Sequence, residues 1–306
     1  NYWRVKMKFE GIYTPIVTPF GDDGEIDWNA YADVIDWQIE NGVAGIIVGG
    51  STGEFYALSK EERIQQFNFA SDRINGRVEF MAGVNDIRVD ECHEISLAAV
   101  SSGANSLLVA APPYSLPSED ELAHHVLKIA EITNLPIMLY NYPGRTGVEM
   151  GETFLDIVAS NPLIAAVKES SGDYSRLPLL SQNYPSIELA VGGEEQVLEF
   201  AAWGAKSWVC ATANFFPSEC VQLMDTLGKQ ADFEKGSTLM SALMPLMKAL
   251  EQGGKFLQCV KLGCELQGRP GGKVRLPLLP IEGLLKEEMI GIIDNTRTSL
   301  HSILNK

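Results

Sequence analysis

Residues 163–173 read LIAAVKESSGD, five apolar side chains in a row that stop at Lys168. A short apolar run bounded by polar residues reads as a strand covered on both faces. An ammonium group at its end then has to be explained, because burying an unpaired charge costs several kcal/mol. Three explanations are open. The lysine pairs with a carboxylate at a neighbouring strand end, with Glu54 or Glu169 available; it binds a phosphate; or its amine is a nucleophile.

Seven further runs resemble 163–169: residues 12–20, 44–50, 78–84, 106–112, 136–143, 187–193 and 207–213. Helical patterning separates them. SKEE at 59–62 and SEDE at 118–121 have the capping-box form, with Ser59 and Ser118 as N-caps and Glu62 and Glu121 three residues on. Tyr31, Val34 and Ile35 recur on one face with Gln38 and Ile39 a turn later, and Gly42, Gly103 and Gly204 stand where helices should stop. Eight strand–helix alternations predict an α/β fold, a (β/α)8 TIM barrel over 7–213, with 214–306 as a C-terminal helical region packed on the barrel or at a subunit interface. FPSECVQLMDTLG and LMSALMPLMKALEQGG within it read as helices. The opening NYWRVK, ahead of Met7, is read as an upstream extension outside the fold.

A formal net charge of -16, with 40 acidic residues spread along the chain, argues against nucleic acid or an anionic membrane as partner, since both need basic patches. An acidic substrate must then be drawn in by a local positive site. Five cysteines without a CxxC pair point to a reducing cytoplasm rather than a disulfide framework. No run has transmembrane length, and no His/Cys/carboxylate spacing suits zinc, so neither a metal nor another cofactor is expected.

In a barrel the C-terminal strand ends converge on one mouth where the chemistry is done. Lys168 is at such an end, as are Ser51, Thr52, Glu54, Tyr114 and the stretch from Tyr140 to Arg145. A free lysine, with a pKa of about 10.4, is only about 0.04% neutral at pH 7, and an apolar pocket raises that fraction. A neutral amine forms a Schiff base with a ketone, an electron sink that needs no metal. Losing water from the carbinolamine requires a proton shuttle, and a chain from Tyr140 through Ser51 to Tyr114 would serve. Arg145, in a Pro-Gly turn, suits bidentate capture of a carboxylate. Each residue also has a plainer reading: a core tyrosine, a turn hydroxyl, a loop aromatic and an interface arginine.

GGSTGE (49–54), YNYPGRTGV (140–148) and AAVKESSGD (165–173) resemble the dihydrodipicolinate synthase/N-acetylneuraminate lyase family over most of the chain, from about Gly11 to RLPLLPI at 275–281. The resemblance implies the (β/α)8 barrel with a helical C-terminal part, a homo-oligomer (dimer or tetramer, usually a homotetramer), and class I aldolase-type lyase chemistry on pyruvate or another 2-oxo acid. It also implies roles for single residues. Lys168 resembles the Schiff-base lysine and Tyr140 the protonating tyrosine. Ser51 and Thr52 resemble the hydroxyl pair that holds the substrate carboxylate, and Tyr114 the tyrosine that completes the relay in a partner subunit's site. Arg145 resembles the carboxylate-binding arginine of the synthases, and Gly193 and Val209 match backbone positions lining the pocket. PGRTG favours a synthase joining pyruvate to aspartate semialdehyde over the sialic acid lyases, whereas Ser51 stands where synthases usually have threonine. GGKFLQCVKLGCEL (253–266) replaces an Asn-Pro-containing stretch. Phe55, Tyr56, Lys60 and Arg63 depart from the pattern of lysine-inhibited synthases, so lysine feedback is not expected. Aldolases or dehydratases of 2-keto-3-deoxy sugar acids and a pyrroline-4-hydroxy-2-carboxylate deaminase are the alternatives within the family. A non-catalytic 2-oxo acid sensor is the alternative outside enzymology.

Overall fold

The computed structural model describes residues 8–304, so the opening NYWRVK and Met7 lie outside the described residues. All eight predicted strands are present: β1 Gly11–Pro15, β2 Gly45–Val48, β3 Glu79–Gly83, β4 Ser106–Ala110, β5 Ile137–Asn141, β6 Ile164–Glu169, β7 Glu188–Val191 and β8 Ser207–Val209. Each pairs in parallel with the next, and β8 pairs with β1 to close the barrel. Nearly every strand residue is buried, which is why the runs are continuously apolar rather than alternating. Closure splits the core in two. Phe9, Tyr13, Ile47, Met81 and Met138 fill the barrel, and Trp208, Phe154 and Phe200 pack outside it against helices.

The outer helices are α1 Trp28–Glu40, α2 Lys60–Ile74, α3 Val89–Ser101, α4 Glu119–Thr133, the single turn α5 Pro143–Thr146, α6 Glu152–Val158, α7 Arg176–Asn183 and α8 Val197–Ala202. Both capping boxes form: Ser59 Oγ accepts from the Glu62 N–H while Glu62 accepts from the Ser59 N–H, and Ser118 and Glu121 repeat the pattern. Gly42, Gly103 and Gly204 adopt φ of 81°, 90° and 89°, the left-handed backbone that turns each helix back toward the next strand.

Four helices follow the barrel: α9 Pro217–Gly228, α10 Phe233–Gln252, α11 Phe256–Leu266 and α12 Gly283–Leu304. The Met and Leu stripe of α10 buries Leu239, Met240, Leu243, Leu246, Met247 and Leu250 against the barrel helices and α12. Burying one such side chain contributes about 1.5–3 kcal/mol, so the stripe fixes where α10 ends. It ends beside the mouth of the barrel, at the loop after β7. No described helix is long and apolar enough to cross a membrane.

Candidate active site

Lys168 is the penultimate residue of β6, in register with Tyr140 on β5 and Ala190 on β7. Alternation along the strand aims Lys168 into the barrel and Glu169 outward. The side chain is 8% exposed, and its Nζ lies 3.8 Å from the centroid of the Tyr140 ring. It opens onto a cavity of about 260 Å³ at the C-terminal strand ends, lined also by Ser51, Thr52, Arg145, Gly193 and Val209. The barrel therefore gathers seven of the eight residues selected from the sequence at one mouth.

The carboxylates considered as ion-pair partners of Lys168 are engaged elsewhere. Glu169 accepts from Arg176 Nε at 2.6 Å, from Asn141 Nδ2 and from the Ser171 N–H, all outside the barrel. Glu54 pairs with Lys261 Nζ at 2.6 Å and accepts from the Arg275 N–H at 2.9 Å. Among the described residues no carboxylate lies within ion-pair distance of Lys168. The ion-pair explanation fails.

The Ser51–Thr52 turn is shaped by Gly49 and Glu54. Gly49 has φ 74°, and a Cβ there would sit 3.2 Å from the Gly83 carbonyl oxygen. Glu54 also takes a left-handed φ, 59°, which is unfavourable for a residue with a Cβ and is held by its Lys261 and Arg275 contacts. Gly192, across the cavity, is needed because a Cβ would meet Ser170 Oγ at 2.1 Å and the Glu169 carbonyl oxygen at 2.3 Å. Arg145 is exposed at the rim, its guanidinium 5.1 Å from the centre of the Tyr142 ring.

Tyr114 is the exception. Its side chain is 92% exposed, it takes a left-handed φ of 73°, and it is absent from the lining of its own chain's cavity. The Tyr140–Ser51–Tyr114 chain does not form within one chain. On the loop after β4 the ring is left uncovered by its own chain.

Three glutamates at the cavity escaped the sequence reading. Glu194, almost fully buried, accepts from the Ala211 N–H at 2.6 Å and the Thr212 N–H at 3.3 Å, and burial raises its pKa above the usual carboxylate value. Glu195 follows it. Glu251, near the end of α10, also lines the cavity, and burial, with Glu194 and Glu195 nearby, pushes its pKa up to about 7. The GGEE that follows β7 obeys the same strand-end rule that picked out Lys168 and could have been read that way. Glu251 offers no such local signal, because it ends a stripe that reads as packing. These carboxylates disfavour a doubly charged phosphate beside Lys168, although Arg145 lines the same cavity.

Comparison with known proteins agrees with this geometry. The family model described as the dihydrodipicolinate synthetase family matches residues 8–296. The chain is 35% identical to a 4-hydroxy-tetrahydrodipicolinate synthase of Methanocaldococcus jannaschii, over 95% of this chain and 99% of that protein. It superposes on the 4-hydroxy-tetrahydrodipicolinate synthase of Methylacidiphilum fumariolicum with a TM-score of 0.90 and 29% identity, covering 97% of this chain and 99% of that one. A prophage protein of the dihydrodipicolinic acid synthase family from E. coli K12, solved with pyruvate, gives a TM-score of 0.90 and 26% identity, covering 95% and 99%.

Proposed function

The chain belongs to the dihydrodipicolinate synthetase family, and from that premise we propose that it is a Schiff-base-forming lyase that condenses pyruvate with aspartate semialdehyde. The observation that carries this reading is the amine of Lys168, buried at the barrel mouth under the Tyr140 ring with neither flanking carboxylate available to clamp it.

The Lys168 nitrogen attacks the pyruvate carbonyl carbon, and the carbinolamine loses its hydroxyl as water on receiving a proton through Tyr140 and Ser51. Thr52, with Ser51, holds the pyruvate carboxylate. Loss of a C3 proton turns the imine into an enamine, whose carbon attacks the aldehyde of the second substrate. Water then hydrolyses the product imine and frees Lys168. Arg145 at the rim binds the second substrate's carboxylate, and the backbone at Gly193 and Val209 shapes the pocket. Tyr114 completes the relay in a partner subunit; Leu116 and Ile87, also exposed, support a homo-oligomer, a dimer or tetramer, built on that face. Residues 7–213 and 214–306 act as one catalytic unit, since α10 supplies part of the cavity wall. All five cysteines are buried free thiols, which suits a reducing compartment, and we assign the cytoplasm.

Borohydride added with pyruvate should leave one carboxyethyl group on Lys168 and on no other lysine, as read by peptide mass spectrometry. Label on another lysine, or no label with turnover intact, would sink the assignment.

A further inference from the structure

We propose that Glu251 and Glu195 bind the ammonium group of the second substrate, so that the outer half of the cavity selects an aldehyde carrying both an amino group and a carboxylate. The inference rests on the Schiff-base reading and extends it to residues delivered by the C-terminal region.

The cavity is lined by two groups of different chemistry. Lys168 enters it from the end of β6 and Ser51 and Thr52 from the turn after β2, whereas Ser170 and Glu195 come from the loops after β6 and β7 and Glu251 and Phe256 from α10 and α11, outside the strands. Pyruvate is an anion, so the outer carboxylates would repel it and are not there for its sake. Two polar atoms beside them lack partners. Glu195 Oε2 and Ser170 Oγ are both buried with no hydrogen-bond partner, a state that costs about 1–3 kcal/mol per group and more for a charged one. A ligand that donates hydrogen bonds and brings positive charge relieves both penalties. Arg145 reaches the cavity from the turn after β5, Glu195 from the loop after β7 and Glu251 from α10. A zwitterionic aldehyde can therefore place its carboxylate on the arginine side and its ammonium on the glutamate side. Hydroxyls alone would supply donors but no cation to offset the glutamates.

Glu251 is placed for this role by packing. The apolar face of α10 is buried through Leu250, which leaves the next residue half-buried at the cavity. The charged and titratable groups set against its carboxyl are Glu194 and Glu195 after β7, Lys168 on β6 and Tyr142 after β5, and the Glu194 N–H donates to it. Burial first, then the two glutamates, raise its pKa to about 7, opposed by Lys168 and that N–H. Below that pH Glu251 is neutral and the ammonium loses a partner; above it the pair is complete.

The test uses the full-length enzyme with pyruvate saturating, and aspartate semialdehyde or its desamino analogue succinate semialdehyde as second substrate, across the neutral pH range. In the wild type, kcat/KM for the amino aldehyde should fall as pH drops through about 7, and the desamino analogue should be used poorly and without that inflexion. Glu251→Gln should raise KM for the amino aldehyde about tenfold to a hundredfold with kcat changed far less, the range expected for a hydrogen bond to a charged group. It should also remove the inflexion and narrow the gap between the two aldehydes. Glu195→Gln should act in the same direction. Pyruvate trapping on Lys168 is read alongside. Trapping with an unmoved KM and pH profile in Glu251→Gln overturns this inference alone; a wild-type preference for hydroxylated aldehydes over the amino aldehyde overturns it together with aspartate semialdehyde as second substrate, and leaves the Schiff base standing. Absence of trapping in the wild type overturns the Schiff-base reading and this inference with it.

Discussion

Replacing Lys261 with methionine should destabilise the protein by about 3–5 kcal/mol, the cost of removing one partner from a buried ion pair. The magnitude follows from how closed this pair is. The Lys261 side chain is 3% exposed and that of Glu54 0%, and they meet at 2.6 Å. Lys261 also donates to the carbonyls of Thr18 and Lys273, so α11, the loop after β1 and the segment ahead of Arg275 are tied through one nitrogen. Burial, with Arg275 nearby, pulls the pKa of Lys261 down, and Glu54 pushes back against it. Methionine keeps most of the volume but leaves the Glu54 carboxylate in the interior with only the Arg275 N–H, at a left-handed backbone position. Urea denaturation followed by tryptophan fluorescence, at fixed protein concentration, measures the loss. The double variant Lys261→Met/Glu54→Gln removes the stranded charge and should recover most of it. A single-variant loss below about 1 kcal/mol, or a double variant as unstable as the sum of its singles, would refute the reasoning. The Ser51–Thr52 turn leads directly into Glu54, so the single variant should also raise KM for pyruvate.

Two further outcomes follow from the same geometry. Mixing Lys168→Ala chains with Tyr114→Phe chains should restore activity that neither has alone, because one site of each mixed pair then keeps both a good lysine and a good partner tyrosine; no restoration would place the relay elsewhere. His125, 9% exposed and stacked on His93 with ring centres 6.1 Å apart, has its pKa pushed down to about 4 by burial, with His93 and His124 adding to the effect. Its depressed value means the unfolded chain binds the proton first, so the stability from neutral His125 is present above about 6.5 and is lost as pH falls toward about 4. The full loss is about 3 kcal/mol, and His125→Leu should flatten that part of the stability–pH curve; an unchanged slope would contradict the assignment.

Much of this protein is legible from local rules. Continuous apolar runs, capping boxes and helix-ending glycines each depend on a few neighbouring residues, and they specified eight strands in the correct order. The strand-end rule then picked out Lys168, Tyr140, Ser51, Thr52 and Arg145, because a parallel barrel brings all C-terminal strand ends to one side whatever the loops do. Three things were decided only by the tertiary structure. Glu54 and Glu169 were free candidates to pair with Lys168 until Lys261 and Arg176 were seen to occupy them. Strand-end position put Tyr114 in its own chain's relay and the resemblance put it in a partner's; the structure leaves the ring exposed and off its own chain's cavity. Glu251 looked like the end of a packing stripe until α10 was seen to finish at the mouth. The physical reason is common to all three. Strand and helix formation is governed by side chains close in sequence, whereas the partner of a charge is set by which distant segment packs against it, and that depends on the burial of the whole chain at once.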